Sequence, residues 1–130
     1  MSNLNESSED YLKAIYYISK KNKGGWCSNH EISQFMKVKP SSVTGMLYKL
    51  KENGLIIWNP RKALRLTEKG KIIAQDKVDC YNVLKSFFLN VLKIKDTSLV
   101  EEVSCGIEHH ITPEILESLQ GVIMGKLSAE

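Results

Sequence analysis

At Leu55 the hydrophobic period of this 130-residue chain changes, and that change restricts the fold more than any other feature of the sequence. Up to Gly54 apolar residues recur at helical spacing. Tyr11, Ala14, Ile15 and Ile18 form one set, Ile32, Phe35 and Met36 a second, and Val43, Met46, Leu47 and Leu50 a third. From Leu55 the sequence reads "LIIW" and then "ALRL", two short strand-like runs around "NPRK", whose Asn59 and Pro60 signal a turn. After Thr67 the helical spacing returns. Three short helices, a two-stranded ribbon and further helix is the order of a winged helix-turn-helix. A small helical bundle with an incidental hairpin is the alternative.

Local signals set the expected boundaries. The first helix reads from about Ser8 to Lys20, with Ser7 and Asp10 in the form of a capping box, and "NKGG" ends it. A second start falls at Ser28, with Glu31 three residues on. "KVKPSS" breaks the chain, Pro40 suits the first turn of the third helix, and "ENG" stops it. Thr67 looks like the N-cap of a long helix through "EKGKIIAQDKVDCYNVLKSFFLNVL", expected to bend or break near Cys80. Another helix covers roughly Ser98 to His110, and Thr112-Pro113 restarts the chain as N-cap and N1 of a last amphipathic helix. The expected fold class is mainly α: a winged helix-turn-helix DNA-binding domain over 1–72, followed by a helical domain over 73–130.

Composition narrows the function classes. A hydrophobic content of 42% with 25% charged residues is that of an ordinary globular domain, and a net charge of +3 permits nucleic-acid binding without demanding it. Cys27, Cys80 and Cys105 are odd in number and widely scattered, which argues against a disulfide framework and for a reducing cytoplasm. No apolar run reaches the length of a membrane span, and "MSNLNESSED" lacks the regions of a signal peptide. No hydrolytic or redox constellation appears, so an enzyme is not expected.

On the third helix Val43, Leu47 and Leu50 define the inner side, which leaves Ser41, Ser42, Thr44, Gly45, Tyr48 and Lys49 toward solvent. Hydroxyls for phosphates or base edges, a small residue for close approach and a lysine for the backbone suit the major groove. Lys39 before the helix and Arg61 and Lys62 at the wing tip add positive charge beside the same surface. Each phosphate contact adds roughly 0.9 to the negative salt slope of log K. Taken singly, each of these residues fits an ordinary solvated face; it is their grouping on one helix and one wing that points to DNA.

The stretch "CGIEHH" poses a separate question. Cys105, Glu108 and His109 stand at i, i+3 and i+4, so on a helix they share one face. Thiolate, carboxylate and imidazole can ligate one divalent ion. A usable site normally needs another ligand, with Glu101 and Glu102 as local candidates and Asp10 on the first helix as a more informative one. Spacing alone leaves this a metal site or a polar stripe, with Cys105 a small core residue and Asp10 a charge favoured by the helix dipole.

"EDYLKAIYYI", "PSSVTGMLYKLKENGLI", "LRLTEKGKIIA" and "VSCGIEHHI" resemble, in order and spacing, the diphtheria-toxin-repressor family of metal-dependent transcriptional repressors. The resemblance runs from about Ser8 to Ile111 and is similar to the short, two-domain manganese-regulator branch, without the SH3-like domain of the iron-regulator branch. It implies a helical metal-binding and dimerisation domain over 73–130. It also implies a metal site at Asp10, Cys105, Glu108 and His109: an acidic residue at 10 is similar to the manganese branch, a cysteine at 105 to the iron branch. Sulfur in such a hybrid set moves preference from hard Mn²⁺ toward Fe²⁺, Co²⁺, Ni²⁺ or Zn²⁺. Fe²⁺ and Mn²⁺ head the expected cofactors. The family's second metal site falls on Lys13, Tyr81 and Lys85, where an ammonium repels a cation. One metal per subunit is therefore expected, with Lys13 or Lys85 pairing with Glu101 or Glu102 instead.

The implied protein is a cytoplasmic homodimer, joined through the Val83–Leu92 and Ile115–Leu127 regions, that represses metal-uptake genes from a pseudo-palindromic operator on double-stranded DNA. Two rivals stand beside it: a winged-helix repressor that has lost its metal response and acts constitutively or senses thiol oxidation at Cys105, and a winged helix that bridges protein partners.

Overall fold

Asn5 starts the first helix. In the computed structural model, which describes residues 4–129 with side chains through residue 125, the Ser8 N–H donates to Asn5 Oδ1 at 2.8 Å. Helix α1 therefore spans Glu6–Lys21, and Ser7, expected as the cap, lies inside its first turn. Asn caps as well as Ser does, and the earlier position takes the role. The chain divides into two compact units, Met1–Asp76 and Lys77–Glu130.

In the first unit, α2 (Asn29–Met36) opens with the capping box that Ser28 and Glu31 announce. The Glu31 N–H donates to Ser28 Oγ at 3.0 Å, and the Ser28 N–H to Glu31 Oε1 at 2.9 Å. Asn22 Nδ2 donates to Glu31 Oε2 at 2.8 Å. The Asn22 hydrogen bond, helped by those from Ser28 and by His30, holds the Glu31 carboxyl below its usual value of 4.5. A carboxyl whose folded pKa is depressed stabilises the fold above its unfolded pKa and loses that contribution as the pH falls through the folded value. In urea titrations the midpoint advantage of the wild type over Glu31→Gln should therefore be full at about pH 6 and vanish toward about pH 3.

Lys37, in the left-handed region at φ 58°, ends α2, and Pro40 opens α3 (Pro40–Glu52) as expected. Gly54 closes α3 at φ 72°, with its own N–H donating to Lys51 C=O at 3.0 Å and the Leu55 N–H to Leu50 C=O at 2.9 Å. That paired pattern is a Schellman motif, in which glycine adopts a positive φ without a Cβ penalty. The chain then enters β1 (Ile56–Trp58), which pairs antiparallel with β2 (Leu64–Leu66), Ile57 opposite Arg65. Alternation sends Ile56, Trp58, Leu64 and Leu66 inward and leaves Ile57 and Arg65 exposed. Cys27 adds a further rung, exchanging two 2.8 Å backbone hydrogen bonds with Leu64.

The core of this unit joins Leu12 and Ile15 of α1, Ile32 of α2, Val43, Leu47 and Leu50 of α3, and Leu64 of the ribbon, each 0% exposed. Full burial of such a side chain stabilises by about 1.5–3 kcal/mol. Three expected core residues differ. Phe35 is 49% exposed and stacks on Tyr17, because the short α2 turns Ile32 and Ser33 inward and leaves Phe35 on the surface. Met36 is half-buried, as is Met46, which accepts a hydrogen bond from Ser8 Oγ.

Helix α4 (Glu68–Ser86) begins as Thr67 indicates: the Gly70 N–H donates to Thr67 Oγ1 at 3.1 Å, while the Thr67 hydroxyl and N–H reach Gly54 and Leu55 carbonyls at 2.7 and 3.0 Å. The bend expected near Cys80 is absent. Neither proline nor glycine occurs from Lys71 to Ser86, and Cys80 is simply a small buried side chain. The irregularity comes later, in a π turn at Phe87–Val91, after which Lys93 at φ 58° ends the helix.

The second unit continues with α5 (Thr97–Ile107), capped by Asp96, which accepts the Leu99 N–H at 3.1 Å. The helix tightens into a 3₁₀ turn at Glu108–His110, so the helix expected through His110 changes geometry at its last three residues. Helix α6 (Pro113–Ala129) starts at Thr112, whose hydroxyl accepts the Ile115 N–H at 3.2 Å. Among the described residues of this unit, Val78, Cys80 and Leu84 of α4 and Val100 of α5 are buried and apolar. No described helix is long and apolar enough to cross a membrane.

Candidate DNA interface and metal centre

The inward set of α3 fixes what faces out. With Val43, Leu47 and Leu50 buried, Ser41, Ser42, Gly45, Tyr48 and Lys49 are exposed, as are Lys39, Arg61 and Lys62. Thr44 is the exception. It is half-buried, donates to Pro40 C=O at 3.1 Å and accepts from Asn29 Nδ2 at 2.9 Å, so it ties the start of α2 to the start of α3. A second tie joins helix to ribbon: the rings of Tyr48 and Trp58 meet edge to face, 4.9 Å apart. Asn29 and Trp58 thus hold the face together, a role that period counting could not reveal because it requires knowing which loops touch.

Between α3 and the wing runs a cleft of about 540 Å³, with Thr44 and Tyr48 on one side, Arg61 and Lys62 on the other, and His30 of α2 also lining it. Hydroxyl, aromatic and cationic groups around an open groove are equipped for a phosphodiester strand.

In the second unit, α5 ends at the proposed metal ligands. Cys105 is half-exposed in the last turn of α5, and Glu108 opens the 3₁₀ turn. The Glu108 side chain is 0% exposed and that of His109 3%, with Glu108 Oε1 3.6 Å from His109 Nε2. Cys80 Sγ donates a weak hydrogen bond to Glu108 C=O at 3.7 Å, and the Ile111 N–H reaches the same oxygen at 3.4 Å. Cys80 therefore helps to fix the backbone from which the buried carboxylate projects, a use that the sequence did not suggest. Asp10 lies in the first turns of α1, in the other unit.

A carboxylate fully withdrawn from water is costly unless a positive charge or a proton compensates it. With an imidazole beside it, this carboxyl group has the chemistry to help hold a divalent transition ion, whereas the Cys105 thiol one turn earlier is not gathered with these donor atoms. Cys27 has a different character. Burial, and then the negative charge of Glu31, push its thiol up to about 11, so it remains a protonated core group. Glu101 is engaged elsewhere: Lys85 Nζ lies 3.4 Å from its Oε2, the exchange expected from the sequence, and Glu102 is exposed. Lys13 is 7% exposed on α1.

Comparison with known proteins identifies both domains. Residues 3–64 match the iron dependent repressor N-terminal DNA binding domain, and residues 67–124 the iron dependent repressor metal binding and dimerisation domain. The chain is 34% identical over 117 residues to an uncharacterised HTH-type transcriptional regulator of Methanocaldococcus jannaschii, covering 90% of this chain and 92% of the relative. It is 31% identical over 117 residues to the HTH-type transcriptional regulator MntR of Shouchella clausii, covering 90% and 79%. The structure of ScaR with bound Zn²⁺ superposes with a TM-score of 0.74 at 29% identity, over 89% of this chain and 53% of that one. The chain spans about half the length of such solved relatives. Both family domains are matched in order, and the family is one of DNA-binding transcriptional regulators, not of enzymes. The chain belongs to the iron-dependent, diphtheria-toxin-repressor family of metal-dependent transcriptional regulators.

Proposed function

We propose that this chain is a homodimeric repressor whose DNA affinity is raised by one divalent transition ion per subunit, held by Asp10, Cys105, Glu108 and His109. The observation that carries the reading is the fully buried carboxyl group of Glu108, with its Oε1 3.6 Å from His109 Nε2. When bound, the ion supplies the positive charge that links α1 of the winged helix to the end of α5. Asp10 and Glu108 contribute carboxylate oxygens, His109 a neutral imidazole nitrogen and Cys105 a thiolate, so binding releases protons and weakens at low pH. The thiolate favours Fe²⁺, Co²⁺, Ni²⁺ or Zn²⁺ over Mn²⁺. The Lys85–Glu101 pair supports a single site, since it engages a carboxylate that a second ion would need.

Lys39, Lys49 and Lys62 position the winged helix on phosphates, with Arg61 beside them at the wing tip, while Ser41, Ser42, Gly45 and Tyr48 of α3 face base edges in the major groove. Ile115, Val122 and Met124 are exposed along α6, together with Leu92, Leu99 and Val103 in the same unit. Apolar surface of this kind supports a dimer joined through the second unit; Leu127, also expected there, lies outside the described side chains. Two such heads suit a pseudo-palindromic operator in front of metal-uptake genes, in the cytoplasm.

The test is Co²⁺ titration of metal-stripped protein under anaerobic conditions, followed by absorption and equilibrium dialysis. The expected result is one ion per chain, with a thiolate-to-metal charge-transfer band that disappears in Cys105→Ser. Two ions per chain, or an unchanged band in the variant, would contradict it.

A further inference from the structure

The wing carries an arginine where glycine would fit more easily. Asn59, Pro60, Arg61 and Lys62 form a turn closed by the Lys62 N–H donating to Asn59 C=O at 3.0 Å. The proline ring fixes a negative φ at the second position, and Arg61 at the third has φ 67°. Proline followed by a positive φ is the type II form, which favours glycine at its third position. A long side chain there strains the backbone. Nothing inside the fold repays it: Arg61 is exposed and makes no hydrogen bond, ion pair or ring contact among the described residues. Arg65, on the same ribbon, is by contrast stacked over the Trp26 ring at 4.8 Å.

The cleft says where such a side chain is useful. Arg61 and Lys62 line it opposite Thr44 and Tyr48 of α3. When one phosphodiester strand occupies a cleft, the elements on its two sides face the two different grooves of the duplex. With α3 in the major groove, the wing tip meets the adjacent minor groove, which at about 6 Å wide admits a side chain but not a helix. A·T tracts narrow that groove and deepen its negative potential, and a weakly hydrated guanidinium enters it more readily than an ammonium.

We propose that Arg61 reads minor-groove width beside each half-site, so that this chain prefers operators flanked by A·T tracts. The proposal rests on the reading of the chain as a DNA-binding regulator. It is tested with the full-length, metal-loaded protein on duplexes selected in vitro, whose half-sites are held constant while the flanks are A·T or G·C.

The wild type should favour A·T flanks by about tenfold. Arg61→Gly should bind both sets equally, with its larger loss of affinity on A·T flanks, and should melt a few degrees higher because the turn is relieved. Arg61→Lys should keep the charge and lose most of the preference. Equal weakening of Arg61→Gly on both sets would make Arg61 a phosphate contact and overturn the proposal, as would a wild type indifferent to flank. If no duplex is selected by the wild type, the DNA-binding reading itself falls, and that outcome is distinct from indifference to flanks.

Discussion

Gly70→Ala should lower the melting temperature by roughly 12 °C or more, the largest effect expected of any single methyl group in the chain. A Cβ at this position would stand 2.1 Å from the Leu55 carbonyl oxygen and 3.1 Å from its carbon, with Leu66 Cδ2 at 3.3 Å. Two of those atoms are backbone, so no rotamer change relieves the clash. The carbonyl cannot retreat freely either, because it accepts the Thr67 N–H at 3.0 Å, in the junction that starts α4. Something in that junction must shift. Overpacking of this kind costs on the order of 3 kcal/mol or more, and at about 4 °C per kcal/mol it gives the stated shift. Gly45→Ala is the control: it lies inside α3 with nothing within 4 Å of its would-be Cβ. Removing a glycine from a helix interior there should raise stability by about 0.5–1 kcal/mol. Differential scanning calorimetry of the two variants checks the pair, and a Gly70→Ala protein that melts like the wild type would refute the packing described for the base of the wing.

Glu108→Gln should abolish the metal response while leaving the metal-free protein intact. The substitution preserves shape and removes one charge from a side chain that is 0% exposed. In the absence of metal, the amide keeps the shape of the side chain, so the apo variant should fold and melt within a few degrees of the apo wild type. In its presence the two diverge. An ion at 100 times its dissociation constant stabilises the native state by about 2.7 kcal/mol, and the variant should gain little of this at the same concentration. Loss of a ligand should weaken metal affinity by on the order of 100-fold or more. Thermal melts with and without Co²⁺ separate the two states; a Glu108→Gln protein stabilised by metal as strongly as the wild type would remove Glu108 from the ligand set.

Much of the winged helix was legible because its signals are local. Ser28 with Glu31, Gly54, Thr67 and Thr112 each mark a boundary through hydrogen bonds spanning only a few residues, Pro40 marks one through its fixed φ, and each is found where the sequence placed it. The misreadings have equally physical causes. Asn5 and Ser7 compete for one cap, and sequence inspection cannot weigh two good acceptors two residues apart. Phe35 fits the helical period, yet a short helix leaves its ring on the surface against Tyr17. At Cys80 a break was expected where the chain has no residue able to cause one.

The metal set is a subtler case. Spacing brought Cys105, Glu108 and His109 into consideration, but could not foresee that the helix tightens at Glu108 or that Cys80 helps to hold its carbonyl. Burial of Glu108 is what sets it apart from a solvated stripe, and burial is a property of the folded chain. The Lys85–Glu101 pair, in contrast, followed from the family resemblance, which puts Lys85 and Glu101 at one site where an ammonium cannot serve as a ligand and seeks a carboxylate.

The central claim is that a divalent ion increases DNA affinity through Asp10, Cys105, Glu108 and His109. The direct measurement is binding of an in vitro-selected duplex by metal-stripped protein, titrated anaerobically with Fe²⁺, Mn²⁺, Co²⁺ and Zn²⁺, alongside Cys105→Ala. The account predicts tighter binding that saturates at one ion per subunit, with Fe²⁺ or Co²⁺ ahead of Mn²⁺, and little response in the variant. Equal affinity with and without every metal would contradict it and leave a constitutive winged-helix repressor in its place.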